Sequence, residues 1–344
     1  MSIKINVGVI GLGIGRYHVD RYAKCPRANI VAVADKDEEL ASKIAKENNV
    51  PFVYTDYKRL LEREDIDAVS VCLPNFLHAP VTIEALEAGK HVLCEKPMAC
   101  TSNEAEKMIG VANKTGKKLM IGMTHRFRKD TQFLKKLIEE GELGEIYYAH
   151  TLWLRRRGMP VVDFPPDAEM GRGMWFIQKD KAGGGALMDI GVHMLDLVWW
   201  LMGRPKIRTV CGFTFDKIGK EKIAGFSVDD FAVAFIRVDS SAIINLEVSW
   251  ATHTEKEQLI KLFGTKGGAR LDPLILYTTK NNELADLLPQ VDRGDMYMEE
   301  INNFVDAILE EKPMISPAED GLEIMKVLEA IYSSAKEGKE VILS

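Results

Sequence analysis

Asp189, His193 and Asp196 fall at i, i+4 and i+7 of an otherwise apolar run, Gly183 to Gly203, reading GGGALMDIGVHMLDLVWWLMG. That spacing sets three acid–base side chains along one face of a helix. A helix apolar nearly all round is expected to be buried, and this one is too short to span a membrane. A buried carboxylate and imidazole must pair with each other or with another partner. Two readings stay open on this stretch alone: a structural Asp/His pair inside a core, and an acid–base pair at a reaction site. Helical i, i+4 ligands also suit a metal, but no further His or Cys cluster accompanies them, so no metal is expected.

A second set of residues lies upstream. Gly11, Gly13 and Gly15, with Ile14 between the last two, follow directly on an apolar stretch from Ile3 to Ile10. A helix from about Arg16 to Lys24 and a strand from Asn29 to Ala34 come next, and that strand ends on Asp35. Strand, glycine turn, helix, strand and acid in this order make the pattern of a dinucleotide site. Glycines admit a pyrophosphate to the backbone and to the free N–H groups of the helix N-terminus. A carboxylate at Asp35 accepts hydrogen bonds from ribose hydroxyls and repels a 2′-phosphate, which favours NAD; Lys36 beside it keeps NADP as the alternative. The turn, Gly-x-Gly-x-Gly, is one residue shorter than the usual fingerprint and leaves the role of Gly15 open.

The elements that must position these groups continue the alternation. Helices at 38–48, 56–63, 77–88 and 102–116 interleave with strands near Phe52 and at 68–73, 91–94 and 118–122, the pattern of a doubly wound parallel sheet. Ligands of such sheets bind beyond the carboxyl ends of the strands. Residues just past those ends are therefore candidates: Pro74 with Asn75, Glu95 with Lys96 and Pro97, and Thr124 to Arg126. Lys96 follows a buried strand and precedes a proline; it is either a surface salt bridge with Glu95 or a site residue that Glu95 positions. Asn75 is a candidate helix cap as well.

Beyond Arg126 the pattern changes to a helix at 129–140, a strand at 146–155 and a long Pro- and Gly-containing segment from Gly158 to Lys181. Loops of this length are usually functional, so the segment reads as a cover over a substrate site; Trp175 near its end is a candidate to stack on a ligand ring, and Trp153 and Arg126 are candidate site walls, with core packing as the alternative. Arg155, Arg156 and Arg157 read as a solvated strand end. Strands at 207–215, 229–237, 242–252 and 257–264 follow without helices between them, an open, mostly antiparallel sheet in an α+β domain. Its apolar side invites a second copy of the chain, so a homo-oligomer, dimer or tetramer, is expected through this sheet. Helices at 297–310 and 318–337 and a tail strand at 341–343 close the chain. The expected division is a Rossmann domain over 1–124, a substrate and oligomerisation domain over 125–316, and a C-terminal helix and tail over 317–344 packing back on the first domain.

With 344 residues, 46% apolar and 28% charged, the chain has the makeup of a two-domain globular protein. A net charge of -6 gives no electrostatic reason for nucleic acid or an anionic membrane as partner. Five cysteines without C-x-x-C spacing and an N-terminus that alternates into a strand point to reduced thiols and a cytoplasmic location.

Taken together, VIGLGIGRYH, the Asp35 strand end, LPNFLH, CEKP, HRFR, the Gly183–Gly203 run and AEDGLEIMKVLEAIYSSAKEGKEV resemble the Gfo/Idh/MocA family of nicotinamide-dependent sugar and cyclitol oxidoreductases over nearly the whole chain. The resemblance implies a Rossmann domain followed by an open α/β sheet domain, and hydride transfer between NAD(P) and a polyol carbon. It implies a catalytic set of Lys96, Asp189 and His193, and it places Leu73, Pro74, Asn75 and His78 with Glu95, Lys96 and Arg126 on the cofactor side. The residues make chemical sense of this. An imidazole suits a base near neutral pH, a preceding Asp orients it or holds a substrate hydroxyl, and a Lys stabilises a developing alkoxide. Alternatives are an NADPH-dependent keto-sugar reductase and a catalytically silent sugar- or nucleotide-sensing regulator. Retention of all three catalytic residues argues against the regulator.

Overall fold

The computed structural model describes residues 4–156, 158–159, 173–310 and 312–343. The chain divides into two compact units, one of residues 1–127 and 295–322, the other of residues 128–294 and 323–344.

In the first unit β1 (Ile5–Ile10), β2 (Ala28–Ala34), β3 (Phe52–Tyr54), β4 (Ala68–Val71), β5 (His91–Glu95) and β6 (Leu119–Gly122) form one sheet in the order β3-β2-β1-β4-β5-β6, parallel throughout. Val7, Val9, Val69, Val71, Val92 and Leu93 are completely buried, as expected of strands covered on both faces. The intervening helices are α1 (Gly15–Lys24), α2 (Glu38–Glu47), α3 (Tyr57–Leu61), α4 (Asn75–Glu87) and α5 (Ser102–Thr115). The strand order reverses beside β1, so the turns after β1 and β4 flank the crevice where such sheets bind ligands.

The second unit starts with α6 (Lys129–Glu139) and β7 (Ile146–Leu154), followed after the undescribed stretch by α7 (Lys179–Ala182) and α8 (Val192–Leu201). Then come β8 (Ile207–Phe215), α9 (Lys217–Lys222), β9 (Phe231–Val238), β10 (Ile243–Ser249), β11 (Glu257–Gly264), β12 (Gly268–Leu271), β13 (Ile275–Lys280) and β14 (Glu283–Leu287). With β15 (Val341–Ile342) they build a nine-stranded sheet, antiparallel except where β10 pairs with β7. α8 packs on β7 and β10, over buried Ala149, Leu246 and Val248. Register matches Cys211, Phe235, Asn245, His150 and Lys261 across the other face. Phe213, Phe235 and Phe263 are exposed there.

Three features differ from the sequence reading. The helix near the end of the expected second domain, α10 (Met296–Leu309), belongs to the first unit. Its Ile301, Phe304 and Val305, spaced i, i+3 and i+4, bury in one core with Val7, Val9 and Val33. α11 (Ala318–Glu337) contributes only its start, through Leu322, to the first unit. Its remainder belongs to the second, where Ser334 Oγ accepts the Gly212 N–H at 2.9 Å, so it does not pack wholly on the first domain. Finally, α9 and the strands β12 to β14 were not anticipated. The β13–β14 hairpin turns on Asn281 and Asn282, both left-handed at φ 51° and 66°, as a two-residue turn of that hand requires.

Candidate active site

The turn after β1 is built for close approach. Gly11 has φ 86°, and a Cβ there would overlap the Cys72 carbonyl. A Cβ on Gly13 would meet nothing within 4 Å, which leaves open backbone where a pyrophosphate sits. At Gly15 a Cβ would stand 3.0 Å from Val9 and 3.1 Å from Cys72. The third glycine therefore lets α1 lie close on the sheet, the role left open by the short loop. No side chain caps the start of α1 at Ile14, so its first N–H groups face an anion's position. Asp35 Oδ2 accepts the Leu12 N–H at 2.7 Å and Oδ1 the Asp37 N–H at 3.0 Å. The carboxylate thus braces the glycine turn and retains lone pairs for ribose hydroxyls.

Beyond β4 the backbone is tied by His78. Nδ1 lies 2.7 Å from the Pro97 carbonyl and Nε2 2.6 Å from the Leu73 carbonyl. Burial pulls this imidazole below its usual range, against those two carbonyls. His78 is completely enclosed, and both ring nitrogens are taken up by the loops after β4 and β5; it organises those loops instead of presenting a group to a ligand. Asn75 is the first residue of α4, not its cap, which is Pro74. Glu95 is buried. Lys96 itself is half-buried. Arg126 corrects an expectation. It is completely buried and donates to the Ile315 carbonyl at 2.7 Å and to Asp320 at 2.5 Å, so it ties the first unit together instead of forming a site wall.

In the second unit the glycine-rich start of the central run is explained by contact. A Cβ on Gly184 would overlap the Tyr332 hydroxyl, and one on Gly185 the Asp229 backbone. Asp229 accepts the Gly185 N–H at 2.7 Å, the Leu187 N–H at 2.8 Å and the Tyr332 O–H at 2.7 Å. A buried carboxylate thereby satisfies the donors at the start of the helix. Residues 187–191 form a π-turn that leads into α8, a local widening that recurs at functional sites. From Gly184 to Leu201 every residue is buried except Asp189 and His193, which are half-buried. Asp189 Oδ2 accepts the Trp250 indole N–H at 2.9 Å, and Trp153 lies beside His193 with ring centroids 6.3 Å apart. Asp196 is buried. Trp175 stacks on Phe176 at 3.8 Å. Most of the expected cover, residues 160–172, lies outside the described residues, as does Arg157.

Comparison with known proteins decides what this cradle and this acid–base pair belong to. Residues 5–123 match the family model described as "Oxidoreductase family, NAD-binding Rossmann fold", and residues 135–343 match "Oxidoreductase family, C-terminal alpha/beta domain". The chain belongs to the Gfo/Idh/MocA family. Among its relatives, D-glucoside 3-dehydrogenase of Escherichia coli (strain K12) is 34% identical, covering 99% of this chain and 98% of that protein. Myo-inositol 2-dehydrogenase of Thermotoga maritima is 28% identical, covering 98% of each. A solved structure of levoglucosan dehydrogenase in complex with NADH superposes with a TM-score of 0.88 at 25% identity, covering 99% of both chains. As a Gfo/Idh/MocA oxidoreductase the chain uses NAD, and the open backbone at Gly13 and the uncapped start of α1 fit that cofactor. Among the described residues no helix is long and apolar enough to cross a membrane.

Three site residues escaped the sequence reading: Trp250, Asp229 and His18. Trp250 and Asp229 lie in or beside strands that meet the helix only in three dimensions, so no local spacing marks them. His18 had a signal, since it shares with Val19 and Tyr22 the face of α1 turned to the sheet.

Proposed function

We propose that this protein is an NAD-dependent dehydrogenase of a secondary alcohol on a sugar ring or cyclic polyol, with a glycoside hydroxyl as the first substrate class to test. The observation that carries the reading is the exposure pattern of the central run: from Gly184 to Leu201 it is buried except at two half-buried positions, an acid and a base. The 34% likeness to a glucoside 3-dehydrogenase supports the substrate class.

Gly11, Gly13, Gly15 and Asp35, with Leu73 to Asn75, would hold NAD, which supplies the hydride acceptor. His193 takes the hydroxyl proton as the carbon gives up hydride. Asp189, fixed on one oxygen by Trp250, orients the imidazole or holds a neighbouring hydroxyl. Lys96 donates to the reacting oxygen and stabilises the negative charge that builds there. Trp153 supplies an apolar wall beside the base. Turnover of methyl glucosides, inositols and anhydrosugars with NAD and NADP, followed by nicotinamide absorbance, tests the proposal. Lys96→Ala and His193→Ala are each expected to lower kcat at least about a hundredfold with NAD binding retained. Unchanged turnover in both variants refutes the assignment.

We also infer a homo-oligomer through the open sheet face, supported by the row of exposed Phe213, Phe235 and Phe263. Phe213→Glu with Phe235→Glu is expected to lower the mass measured by light scattering to that of one chain. Five cysteines without C-x-x-C spacing support a reducing cytoplasmic location.

A further inference from the structure

Behind the Lys96 turn runs a hydrogen-bonded chain that the cofactor cradle does not require. His18 and Tyr22 stand one turn apart on α1, the helix that begins at Gly15, and both are completely buried. The Tyr22 hydroxyl meets Ser70 Oγ at 3.1 Å, Ser70 Oγ meets His18 Nδ1 at 3.1 Å, and His18 Nε2 meets Glu95 Oε1 at 3.0 Å. The second carboxylate oxygen, Oε2, accepts the Lys96 N–H at 3.2 Å. Gly122 leaves room for this side chain, since a Cβ there would press on it at 3.3 Å. From α10 comes Glu300, completely buried, with neither oxygen hydrogen-bonded among the described residues. Tyr297, one turn earlier, sets its ring edge-on to His18 at 6.1 Å.

Two carboxylates in one buried space do not both stay ionised; the one that receives a donor keeps its charge. Burial and the negative charge of Glu95 push Glu300 well above the carboxylate range. Burial also pushes Glu95 up, but the hydrogen bond from His18 and the positive charge of its neighbours, Lys96 included, outweigh it and hold Glu95 low. With its proton on Nε2, His18 donates to Glu95 Oε1 at 3.0 Å. With Ser70 donating to Nδ1 and accepting from Tyr22, every donor in the chain meets an acceptor.

We propose that His18 is a positioning residue for Lys96: the chain Tyr22–Ser70–His18 delivers an N–H that holds the Glu95 side chain under the Lys96 turn. The same bond ties the helix that opens at the glycine turn to the strand end that carries Lys96. The role rests on the dehydrogenase reading above.

The test compares His18→Phe with His18→Gln, whose amide can still donate to Glu95. Infrared difference spectra of the cofactor-free protein are expected to show a protonated buried carboxyl band that is lost in Glu300→Gln. His18→Phe is expected to gain a second, lost again when Glu95→Gln is added, whereas His18→Gln gains none. In turnover, kcat of His18→Phe is expected to fall at least about tenfold, and that of His18→Gln to recover to within about threefold of the parent, the loss of one charge-assisted hydrogen bond. Absence of the second carboxyl band, or equal kcat in the two His18 variants, overturns the proposal. If His18→Phe does not fold, Ser70→Ala, which breaks the chain one link earlier, is read by the same two measurements. Undiminished turnover in both Lys96→Ala and His193→Ala would sink the dehydrogenase reading by itself, since the infrared bands do not depend on catalysis.

Discussion

Trp250 donates its indole N–H to Asp189 Oδ2 at 2.9 Å from a ring with no exposed surface. A tryptophan N–H is donor only, so this bond fixes one oxygen of the carboxylate in place. Trp250→Phe keeps the ring's packing and removes the donor. We expect kcat to fall about tenfold to a hundredfold, the worth of a hydrogen bond to a charged group, with KM for NAD unchanged and a thermal midpoint within a few degrees of the parent. Steady-state kinetics with calorimetry checks this; a variant that loses stability but not kcat would show that the indole only packs.

Asp35 braces the glycine turn, and on the proposed reading it also meets the ribose, so its replacement should show both. Asp35→Ser is expected to narrow the preference for NAD over NADP at least about tenfold, because a ribose acceptor and a like charge are lost. It should also cost about 1 kcal/mol of stability as the Leu12 N–H loses its partner. Kinetics with each cofactor and urea unfolding separate the two effects.

Gly185→Ala is expected to damage the second unit severely. The added methyl overlaps the Asp229 backbone, and that segment is held by three hydrogen bonds to the helix start and Tyr332. A loss of at least about 3 kcal/mol, or insoluble protein, is expected. Gly13→Ala has space for its methyl, so stability should stay within about 0.5 kcal/mol while NAD affinity falls.

His91 sets one part of the acid limit. Burial, with help from Lys117 and Lys118, lowers its pKa from 6.5 to about 4, and its Nδ1 accepts the Lys118 N–H at 3.0 Å. The unfolded chain takes up this proton near pH 6.5, whereas the folded protein takes it up only near pH 4, so stability falls as pH drops across that window. After discounting for partial exposure the loss is about 1 to 2 kcal/mol. His91→Asn, which keeps an acceptor but no titrating group, should flatten the decline between about pH 7 and about pH 5 in urea midpoints.

Which parts of this were legible in the chain depends on the range of the forces involved. The Rossmann half was readable because each β-strand and helix carries its own periodicity, and Gly11, Gly13 and Asp35 announce the turn chemistry locally. Asp189 and His193 were readable as a pair, but their half-exposure in an otherwise buried helix is visible only in three dimensions. Arg126 misled because its position past a strand end is that of a site residue, while its partners, Asp320 and Ile315, are almost two hundred positions away. The short β12 to β14 strands were missed because half-exposed strands carry few apolar residues to set a period. Placement of α10 needed the complementary surface that Ile301, Phe304 and Val305 fill.

That placement bears on how the protein is made. The first unit draws α10 from the far end of the chain, so its core stays open at that face until the ribosome has read past Leu309. Until then Val7, Val9 and Val33 lack Ile301, Phe304 and Val305 as neighbours, and a nascent fragment of the first 127 residues presents an apolar surface to chaperones. The whole intervening unit is synthesised before that face is covered, so a fragment cut at Phe127 is expected to bind an apolar dye more strongly than the full chain does.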